Sequence, residues 1–344
     1  MNKKVLVLGG GQMGSVIAQY LSGHYETKIA DINPDLCDIQ FDISSANKIQ
    51  IKDLFNNFDL IIGALPSHLG YTPLKYAVEN GNNYVDLSFS KRNPKNLDKI
   101  AKNNKSIVFH DCGLSPGLSN LIAGRFNLLF EPKEITIMVG GISKESDAPY
   151  GHVNTWCVND LLEEYIRPAR FIESRYILAT DPLNEEKWIE SEFKDVGKLE
   201  GFLSDGLRTL LDMKGPETIK EYTLRRPGHL TSIKKLISSN IFIKEIEEKC
   251  CHGDDIVILH VDCEYRSATM RDEAKNGLSS MARTTAFSCA IFAKLILEDI
   301  WRIPGVYAPE DIGSSKMYFK CFNYIVSELE KKNIIIEYNN KNIL

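Results

Sequence analysis

The chain from Met1 to His110 alternates short apolar runs with segments of helical periodicity. Continuous apolar runs of this kind are typical of strands that are buried on both faces of a parallel sheet. The predicted strands are Lys4–Leu8, Thr27–Asp31, Leu60–Leu65, Tyr84–Leu87 and Ser106–His110. Helices are predicted over Met13–Leu21 and Thr72–Glu79, the second ended by Asn80-Gly81. This alternation predicts an α/β domain with a doubly wound parallel sheet and right-handed crossovers.

The middle of the chain has a different pattern, in which longer apolar segments stand among charged loops. Strands of a second, α+β domain are predicted at Ile135–Val139, Trp156–Tyr165, Phe171–Ala179 and Glu221–Arg226. From Leu278 the helical spacing returns, with Met281, Thr285 and Cys289 on one face. This helical pattern ends before Gly305–Glu310. A helix over Tyr318–Lys331 and a strand over Ile334–Tyr338 are predicted after it.

Composition narrows the class of protein. The 344 residues are 43% hydrophobic and 25% charged, with a net charge of −5 and no basic run, so we expect neither a nucleic-acid nor a membrane partner. The apolar stretch after Lys3-Lys4 is too short for a signal peptide, and no segment has about 20 consecutive apolar residues. A cytoplasmic location is expected. The eight cysteines form no C-x-x-C pair, which predicts free thiols and no metal site.

A glycine-rich turn joins the first strand to the first helix. Gly9-Gly10-Gly11-Gln12-Met13-Gly14 fits the pattern G-x-G-x-x-G. Gly9 allows the tight turn, Gly11 lets the backbone approach a pyrophosphate, and Gly14 lets helix and strand pack closely. The helix start at Gln12 and Met13 faces the phosphate charge. The turn therefore predicts a dinucleotide site.

Asp31 ends the second strand, the one that follows the glycine turn and its helix. A carboxylate there accepts hydrogen bonds from both ribose hydroxyls of NAD and repels the 2′-phosphate of NADP. NAD is therefore predicted, with NADP less favoured. Flavin enzymes and S-adenosylmethionine-dependent methyltransferases share a similar turn and remain alternatives.

Three further strand ends are candidate walls of a reaction site, because ligands of such sheets bind outside the carboxyl ends of the strands. The predicted strand Leu60–Leu65 ends in small residues, and Leu65 and Pro66 at this end are predicted to contact the cofactor. Asp86 and Ser88 follow the next strand, and Asp111 the one after. Asp86 and Asp111 either accept a proton from a substrate amine or cap loops. His110 is expected on the opposite face of its strand from Asp111, in the core.

Several blocks resemble the saccharopine dehydrogenase-like oxidoreductases. They are Tyr84-Val-Asp-Leu-Ser88, Asp111-Cys-Gly-Leu-Ser-Pro-Gly-Leu-Ser-Asn120, Ser280-Met-Ala-Arg-Thr-Thr285 and Gly305-Val-Tyr-Ala-Pro-Glu310. The Gly197–Leu210 and Thr223–His229 blocks and Leu162-Glu-Glu-Tyr165 are most similar to the L-lysine 6-dehydrogenase subfamily. The chain departs from that subfamily at Gly140–Asp160, which lines the substrate side.

The resemblance implies a Rossmann NAD-binding domain over 1–115, an inserted substrate-binding and dimerisation domain over 116–277, and helices over 278–344 that return to the first domain. It implies a homodimer and NAD-dependent oxidation of lysine to 2-aminoadipate semialdehyde with release of ammonia. A saccharopine dehydrogenase or a related opine-type (carboxynorspermidine-like) reductase is the alternative within the family. A methyltransferase or a non-catalytic NAD-binding protein is the alternative outside it.

Candidate substrate residues lie in the blocks that carry the resemblance. Arg225 is predicted to anchor the substrate carboxylate, because a guanidinium matches a carboxylate bidentately, or to form a structural ion pair. His229, with a pKa expected near neutrality, is predicted to transfer protons or to serve a structural role. Asp205 either pairs with the substrate ammonium, orients Arg208 or caps its turn.

The remaining candidates lie on the substrate side of the chain. Trp156 and Tyr150 either line the aliphatic part of the substrate or are plain core residues. Glu163 and Glu164 follow an apolar pair on a predicted helix and are expected on a solvated face. An opine-type reaction needs a second carboxylate anchor, for which the chain offers Arg167, Arg170, Arg226 and Arg271.

Overall fold

The computed structural model describes residues 3–317 and 319–340. Its strands are β1 (Lys4–Leu8), β2 (Glu26–Asp31), β3 (Ile39–Gln40), β4 (Leu60–Gly63), β5 (Asn83–Asp86), β6 (Ile107–Phe109), β7 (Glu134–Ser143), β8 (Ala169–Glu173), β9 (Tyr176–Thr180), β10 (Ile189–Phe193), β11 (Gly197–Leu203), β12 (Thr218–Arg225), β13 (Asp255–Cys263), β14 (Arg266–Glu273), β15 (Gly305–Tyr307) and β16 (Ile336–Asn340). Its helices are α1 (Gln12–Ser22), α2 (Lys48–Phe55), α3 (Ser67–Asn80), α4 (Asp98–Asn104), α5 (Leu118–Phe130), α6 (Val158–Ile166), α7 (His229–Ser238), α8 (Phe242–Lys249), α9 (Ser280–Leu297), α10 (Pro309–Gly313) and α11 (Phe319–Glu330).

The chain divides into two compact units. The first comprises Met1–Leu121 and Thr285–Lys332, and the second comprises Ile122–Thr284 and Asn333–Leu344. The predicted α/β class with a second, mixed-sheet domain is confirmed.

The sheet of the first unit has the strand order β15-β6-β5-β4-β1-β2-β3, and each neighbouring pair of strands in this order is parallel. The chain runs outward from β1 in one direction and from β4 in the other. The topological switch point of this doubly wound sheet therefore lies between β1 and β4, where ligands of such folds bind. Val5, Leu6, Val7 and Leu8 are at most 1% exposed, which explains why β1 reads as a continuous apolar run.

The second unit contains a mixed sheet with the order β10-β11-β12-β7-β13-β14-β16, and β8 pairs with both β12 and β9. The pairing of β12 with β7 is parallel, and the other strand pairs of this sheet are antiparallel within the described residues. Helices α6, α7 and α8 share an apolar cluster that includes Leu161, Leu230 and Phe242. This cluster holds the helix that carries Tyr165 and the start of the helix that carries His229.

Two strand predictions in the second unit are wrong. Trp156–Tyr165 forms helix α6 from Val158 onward, because Val158, Leu161 and Tyr165 bury one helical face. Phe171–Ala179 is a hairpin of β8 and β9, because the chain turns at Ser174 and Arg175, which have φ of 51° and 70°. Two adjacent residues in the left-handed region are characteristic of a two-residue type I′ turn.

Two features of the late segments differ from the prediction. Gly305–Tyr307 is not only a stop, because it pairs with β6 as strand β15 and extends the parallel sheet. Among the described residues, one helix, Ser280–Leu297, is long and apolar enough to cross a membrane, but 89% of it is buried within the chain. Such burial is typical of a core helix. The predicted start of the last helix, Tyr318, lies outside the described residues.

Candidate active site

The glycine turn lies at the switch point of the first sheet. Gly9, with φ of 96°, donates its backbone N–H to Ala30 O at 2.8 Å. A Cβ on Gly9 would lie 2.4 Å from Ala64 O, and a Cβ on Gly14 would lie 1.8 Å from Gly9 O. Both positions therefore require glycine for the packing of β1, β4 and α1.

Gly11 differs from the other two glycines of the pattern. A Cβ on Gly11 would meet no atom within 4 Å, so the fold itself leaves room for a side chain there. Gly11 is the N-cap of α1 and has no side-chain cap, so the helix begins with backbone N–H groups that have no intrahelical acceptor. Open space beside these donors and the positive helix end fits a pyrophosphate group. Gln12 and Met13 form the first turn that would face it.

Asp31 is placed beside the glycine turn. Its Oδ2 accepts from the Gly10 N–H at 2.6 Å and its Oδ1 accepts from the Asn33 N–H at 2.8 Å. These bonds fix the carboxylate at the carboxyl end of β2. Leu65 and Pro66 follow β4 and lead into α3, and Leu65 Cδ2 would lie 3.5 Å from a Cβ on Gly9. The predicted cofactor residues are thus gathered around one edge of the sheet.

Two buried acidic groups lie at the ends of β5 and β6. Asp86, 2% exposed, accepts a hydrogen bond from the Ser88 hydroxyl at 2.7 Å. Its backbone carbonyl accepts from the Cys112 N–H at 2.8 Å, which ties the two strand ends together. Burial, with Asp111 and Asp86 nearby, raises the pKa of the Cys112 thiol well above its usual value.

Asp111 lies beside His110 rather than on the opposite face of the strand. His110 Nδ1 lies 3.0 Å from Asp111 Oδ2, and both side chains are at most 3% exposed. The prediction that His110 faces away from Asp111 is wrong, because Asp111 leaves the strand with a φ of 56° and turns its side chain back. A non-glycine residue in this conformation costs about 1 kcal/mol or more, and such residues cluster at functional sites.

A second polar site lies wholly within the second unit, around Arg225. Its Nε donates to the Tyr165 hydroxyl at 2.9 Å, its Nη1 to Leu224 O at 3.0 Å and its Nη2 to Glu164 at 2.7 Å. The side chain is 4% exposed, against 22% for Glu164. These three bonds leave two of the five guanidinium N–H donors for a further acceptor. The expectation that Glu164 lies on a solvated face is wrong, because it pairs with this buried cation.

His229 joins Arg225 through Tyr165. Its Nδ1 lies 2.7 Å from Tyr150 O and its Nε2 lies 2.8 Å from the Tyr165 hydroxyl. Because a carbonyl only accepts, Nδ1 carries the hydrogen and Nε2 accepts from Tyr165. Burial and then the charge of Arg225 lower the pKa of His229 to about 3. The expectation of a pKa near neutrality is wrong, and His229 holds Tyr165 in place as a neutral imidazole.

Asp205 binds Arg170 rather than Arg208. Arg170 Nε and Nη2 donate to the two carboxylate oxygens at 2.7 and 3.0 Å. The expectation that Asp205 orients Arg208 is therefore wrong. Trp156 and Tyr150 are partly buried and pack against the apolar cluster that contains Tyr165. Their predicted contact with the aliphatic part of a substrate stays a prediction.

Two family models match this chain. The saccharopine dehydrogenase NADP binding domain matches residues 5–108 and the saccharopine dehydrogenase C-terminal domain matches residues 113–335. The chain belongs to the saccharopine dehydrogenase family. As a member of this family of dehydrogenases it is an oxidoreductase with a pyridine-nucleotide site, which favours that prediction over the methyltransferase alternative.

Individual relatives are distant. The mitochondrial alpha-aminoadipic semialdehyde synthases of Rattus norvegicus and Mus musculus are 25% and 26% identical over 190 and 191 residues, 49% of this chain. The match spans 20% of each relative's length. Apo saccharopine dehydrogenase (L-Glu forming) from Saccharomyces cerevisiae has a TM-score of 0.78 and 16% identity, over 99% of this chain and 100% of that one. The fold of this saccharopine dehydrogenase family member is therefore shared along its length.

One residue of the Arg225 site was not predicted. His152 is 3% exposed, and neither ring nitrogen has a hydrogen-bond partner within the described residues. Its ring centroid lies 5.6 Å from that of His229. Burial and the Arg225 charge lower the pKa of His152 well below its usual value, so its imidazole is neutral. The available signal was its position in the Gly140–Asp160 segment, where the chain departs from the subfamily pattern.

The buried His229 should make the protein less stable in acid. Its pKa falls from 6.5 in the unfolded chain to about 3 in the fold, so the unfolded chain binds the proton more readily between these values. The stabilisation is fully present above pH 6.5 and is lost as the pH falls towards 3. One such group changes the free energy of unfolding by about 1.4 kcal/mol per pH unit.

The variant His229→Gln keeps one hydrogen-bond donor and one acceptor in its amide but cannot take up a proton. We expect the slope of its unfolding free energy against pH to be smaller than that of the wild type by the equivalent of about one proton between about pH 4 and 6. Urea unfolding at several pH values measures this slope. The matched control is His252→Gln at an exposed position. Equal slopes in the wild type and both variants would contradict a neutral buried His229.

Proposed function

We propose that this chain catalyses the NAD-dependent oxidation of L-lysine at its ε-amine, giving 2-aminoadipate semialdehyde and ammonia. The proposal rests on which arginine side chains of the second unit still have hydrogen-bond donors for a substrate carboxylate. Arg225 keeps two N–H donors in a buried site beside the neutral imidazole of His152, which has no hydrogen-bond partner within the described residues. This arrangement suits one carboxylate, as in an amino acid with a single anchored end.

Three of the four arginines considered for a second carboxylate are held by other groups. Arg170 pairs bidentately with Asp205. In the same way, Arg226 donates to the carbonyls of Ser143 and Val196, and Arg271 pairs with Glu273. A dicarboxylate such as an opine that bound one of these three arginines would have to displace a bond. This favours the monocarboxylate substrate. The name of the curated relatives, alpha-aminoadipic semialdehyde synthase, refers to the product proposed here.

The reaction removes a hydride from the ε-carbon and a proton from the amine nitrogen, which leaves a C=N bond. Bound NAD supplies the hydride acceptor. Water then adds to the C=N carbon, and the C–N bond breaks to release ammonia and the aldehyde. The chain must therefore hold the carboxylate, supply a proton acceptor for the amine and admit one water molecule.

We assign the substrate carboxylate to Arg225. His229 is a positioning residue for Tyr165 and Arg225, because its Nε2 accepts from the Tyr165 hydroxyl at 2.8 Å and Arg225 Nε donates to the same hydroxyl at 2.9 Å.

NAD is the proposed cofactor, because the fixed carboxylate of Asp31 at the glycine turn would repel a 2′-phosphate. We expect Asp31→Ser to lower kcat/KM for NAD by about 10- to 100-fold and to change kcat/KM for NADP by less, because lost ribose hydrogen bonds are worth about 1.5–3 kcal/mol. Initial rates with both cofactors measure the ratio. The control is Asp35→Ser, an exposed carboxylate in the following turn. A wild type that prefers NADP would contradict the assignment.

The function is tested by following absorbance at 340 nm with NAD and single amino acids. Growth of the signal with lysine alone is the expected result. The second candidate, reversible joining of an amine and an oxo acid, is favoured by the two saccharopine dehydrogenase family matches. It predicts turnover only when NADH, lysine and an oxo acid are supplied together. Tight NAD binding without turnover in either assay would overturn both candidates.

A further inference from the structure

His152 is a buried polar group of the second unit that has no part in the reaction described above. Its side chain is 3% exposed, and neither Nδ1 nor Nε2 has a hydrogen-bond partner within the described residues. A buried polar group without a partner destabilises a fold, and such groups are rare in native proteins. A ligand that pairs with the ring would offset this loss. The imidazole of His152 is therefore a candidate ligand contact.

The ring of His152 borders the Arg225 site. Its centroid lies 5.6 Å from that of His229, whose Nε2 accepts from the same Tyr165 hydroxyl to which Arg225 donates. Burial and then the charge of Arg225 lower the pKa of His152, so the guanidinium is close enough to act on the ring. It follows that His152 lies beside the place where Arg225 would hold a carboxylate.

The backbone holds His152 at this place. The carbonyl of Tyr150 binds His229 Nδ1 at 2.7 Å, which ties the segment to the start of α7. Gly151 has a φ of 60°, and a Cβ on it would lie 2.5 Å from the Cβ of Arg226. The turn before His152 thus packs closely against the residue that follows the carboxylate anchor, so the ring is positioned before any ligand arrives.

The protonation state of the ring decides which ligand group it can bind. Because His152 is neutral, one ring nitrogen donates a hydrogen bond and the other accepts one. The carboxylate of an amino acid needs donors, and Arg225 keeps two of them. The α-ammonium is bonded to the carbon next to that carboxylate, and it needs acceptors. The accepting nitrogen of His152 meets this need.

Glu164 is a second acceptor of the site, but it is already engaged. Its Oε2 accepts from Arg225 Nη2 at 2.7 Å, and its carboxylate is also attracted by the charge of Arg167. An ammonium at Glu164 would compete with these guanidinium groups. An ammonium at His152 would break no hydrogen bond of the ring within the described residues. The contact with His152 is therefore favoured.

We propose that His152 is a specificity-determining residue, whose unprotonated ring nitrogen accepts a hydrogen bond from the α-ammonium of the amino acid that Arg225 holds by its carboxylate. The site then selects α-amino acids over acids of the same chain length that lack an α-amine. The inference rests on the proposed function for the role of Arg225 as carboxylate anchor.

Binding of two non-reactive acids tests the site separately from the reaction. L-Norleucine carries the α-ammonium and hexanoate lacks it, and neither has an ε-amine to oxidise. In calorimetric titrations of the full chain with NAD present, the wild type should bind L-norleucine about 10- to 100-fold more tightly than hexanoate, because the hydrogen bond involves a charged group. In His152→Phe the two dissociation constants should agree within about threefold.

His260→Phe is the matched control, because His260 lies on β13 of the same unit and its Nδ1 lies 2.8 Å from the Thr269 hydroxyl. It should keep the wild-type preference for L-norleucine. Thermal unfolding of both variants separates loss of the ligand contact from loss of the fold. His152→Phe should not lower the melting temperature, because it removes a buried imidazole that has no partner in the fold. A histidine with a merely structural role would lower it.

Turnover separates this inference from the proposed function. With NAD, the wild type should oxidise L-lysine with a higher kcat/KM than 6-aminohexanoate, and His152→Phe should lower this ratio about 10- to 100-fold. A wild type that prefers L-norleucine but does not oxidise lysine would contradict the proposed reaction and support the ammonium contact. The inference is overturned if the wild type binds L-norleucine no more tightly than hexanoate, or if His152→Phe keeps the wild-type preference.

Discussion

Replacing Arg225 with lysine is expected to lower kcat/KM for the amino-acid substrate by at least about 100-fold, with NAD binding unchanged. The guanidinium holds the Tyr165 hydroxyl, Leu224 O and Glu164 at once and still keeps two donors. An ammonium has three donors in total and no planar fork, so it cannot satisfy these partners and a carboxylate together. Lysine keeps the positive charge, so Glu164 stays compensated.

Arg225→Ala would be a poorer test. It would leave Glu164 beside a cavity without its cation, and loss of one partner of a buried ion pair costs about 3–5 kcal/mol of stability. A loss of activity would then have two explanations. In Arg225→Lys, steady-state kinetics and thermal unfolding measured on the same preparation separate binding from folding.

The matched control is Arg226→Lys, next along the chain. Arg226 donates to the backbone carbonyls of Ser143 and Val196 and so has a structural role. We expect its kcat/KM to stay within a few-fold of the wild type, with a modest loss of stability. If Arg225→Lys also stays within about threefold, Arg225 is not the carboxylate anchor.

Gly11→Val is expected to raise the dissociation constant for NAD at least about 100-fold while the free energy of unfolding changes by less than about 1 kcal/mol. A Cβ on Gly11 would meet no atom of the described residues within 4 Å, so we expect the fold to accept a side chain there. It does occupy the space beside the α1 N-terminus, where the pyrophosphate would lie. Fluorescence titration with NADH and urea unfolding measure the two quantities.

In Gly14→Ala, unlike Gly11→Val, we expect the free energy of unfolding itself to fall. Its Cβ would lie 1.8 Å from Gly9 O, so α1 must move away from β1 and the free energy of unfolding falls by about 2 kcal/mol or more. Weak NADH binding in Gly14→Ala would thus accompany a loss of stability. Tight NADH binding by a folded Gly11→Val would show that the pyrophosphate does not approach Gly11.

The sequence predicted the features whose cause is local. The continuous apolar run of β1, the glycine turn and Asp31 are close neighbours along the chain, and their spacing follows from one strand–helix–strand unit. The buried face of α1 and the end of α3 at Asn80 follow from the same periodicity. In such segments each residue's environment is set by its neighbours in the chain, so a pattern of residue types is enough.

Several of the features that were missed or predicted wrongly depend on distant partners. Gly305–Tyr307 is a strand only because β6, which lies far earlier in the chain, offers it a parallel edge. The pKa of His229 follows from burial and from Arg225, and Glu164 is a partner of that arginine rather than a surface charge. His152 has no sequence signal beyond an unusual segment, and only packing places its ring beside His229.

Local periodicity in the sequence therefore determined the dinucleotide-binding unit and its acidic strand end. Tertiary structure decided which ionisable groups of the second unit meet and which protonation state each adopts. The physical reason is that hydrogen bonding, desolvation and strand pairing depend on distances through space, whereas a sequence pattern records only separations along the chain.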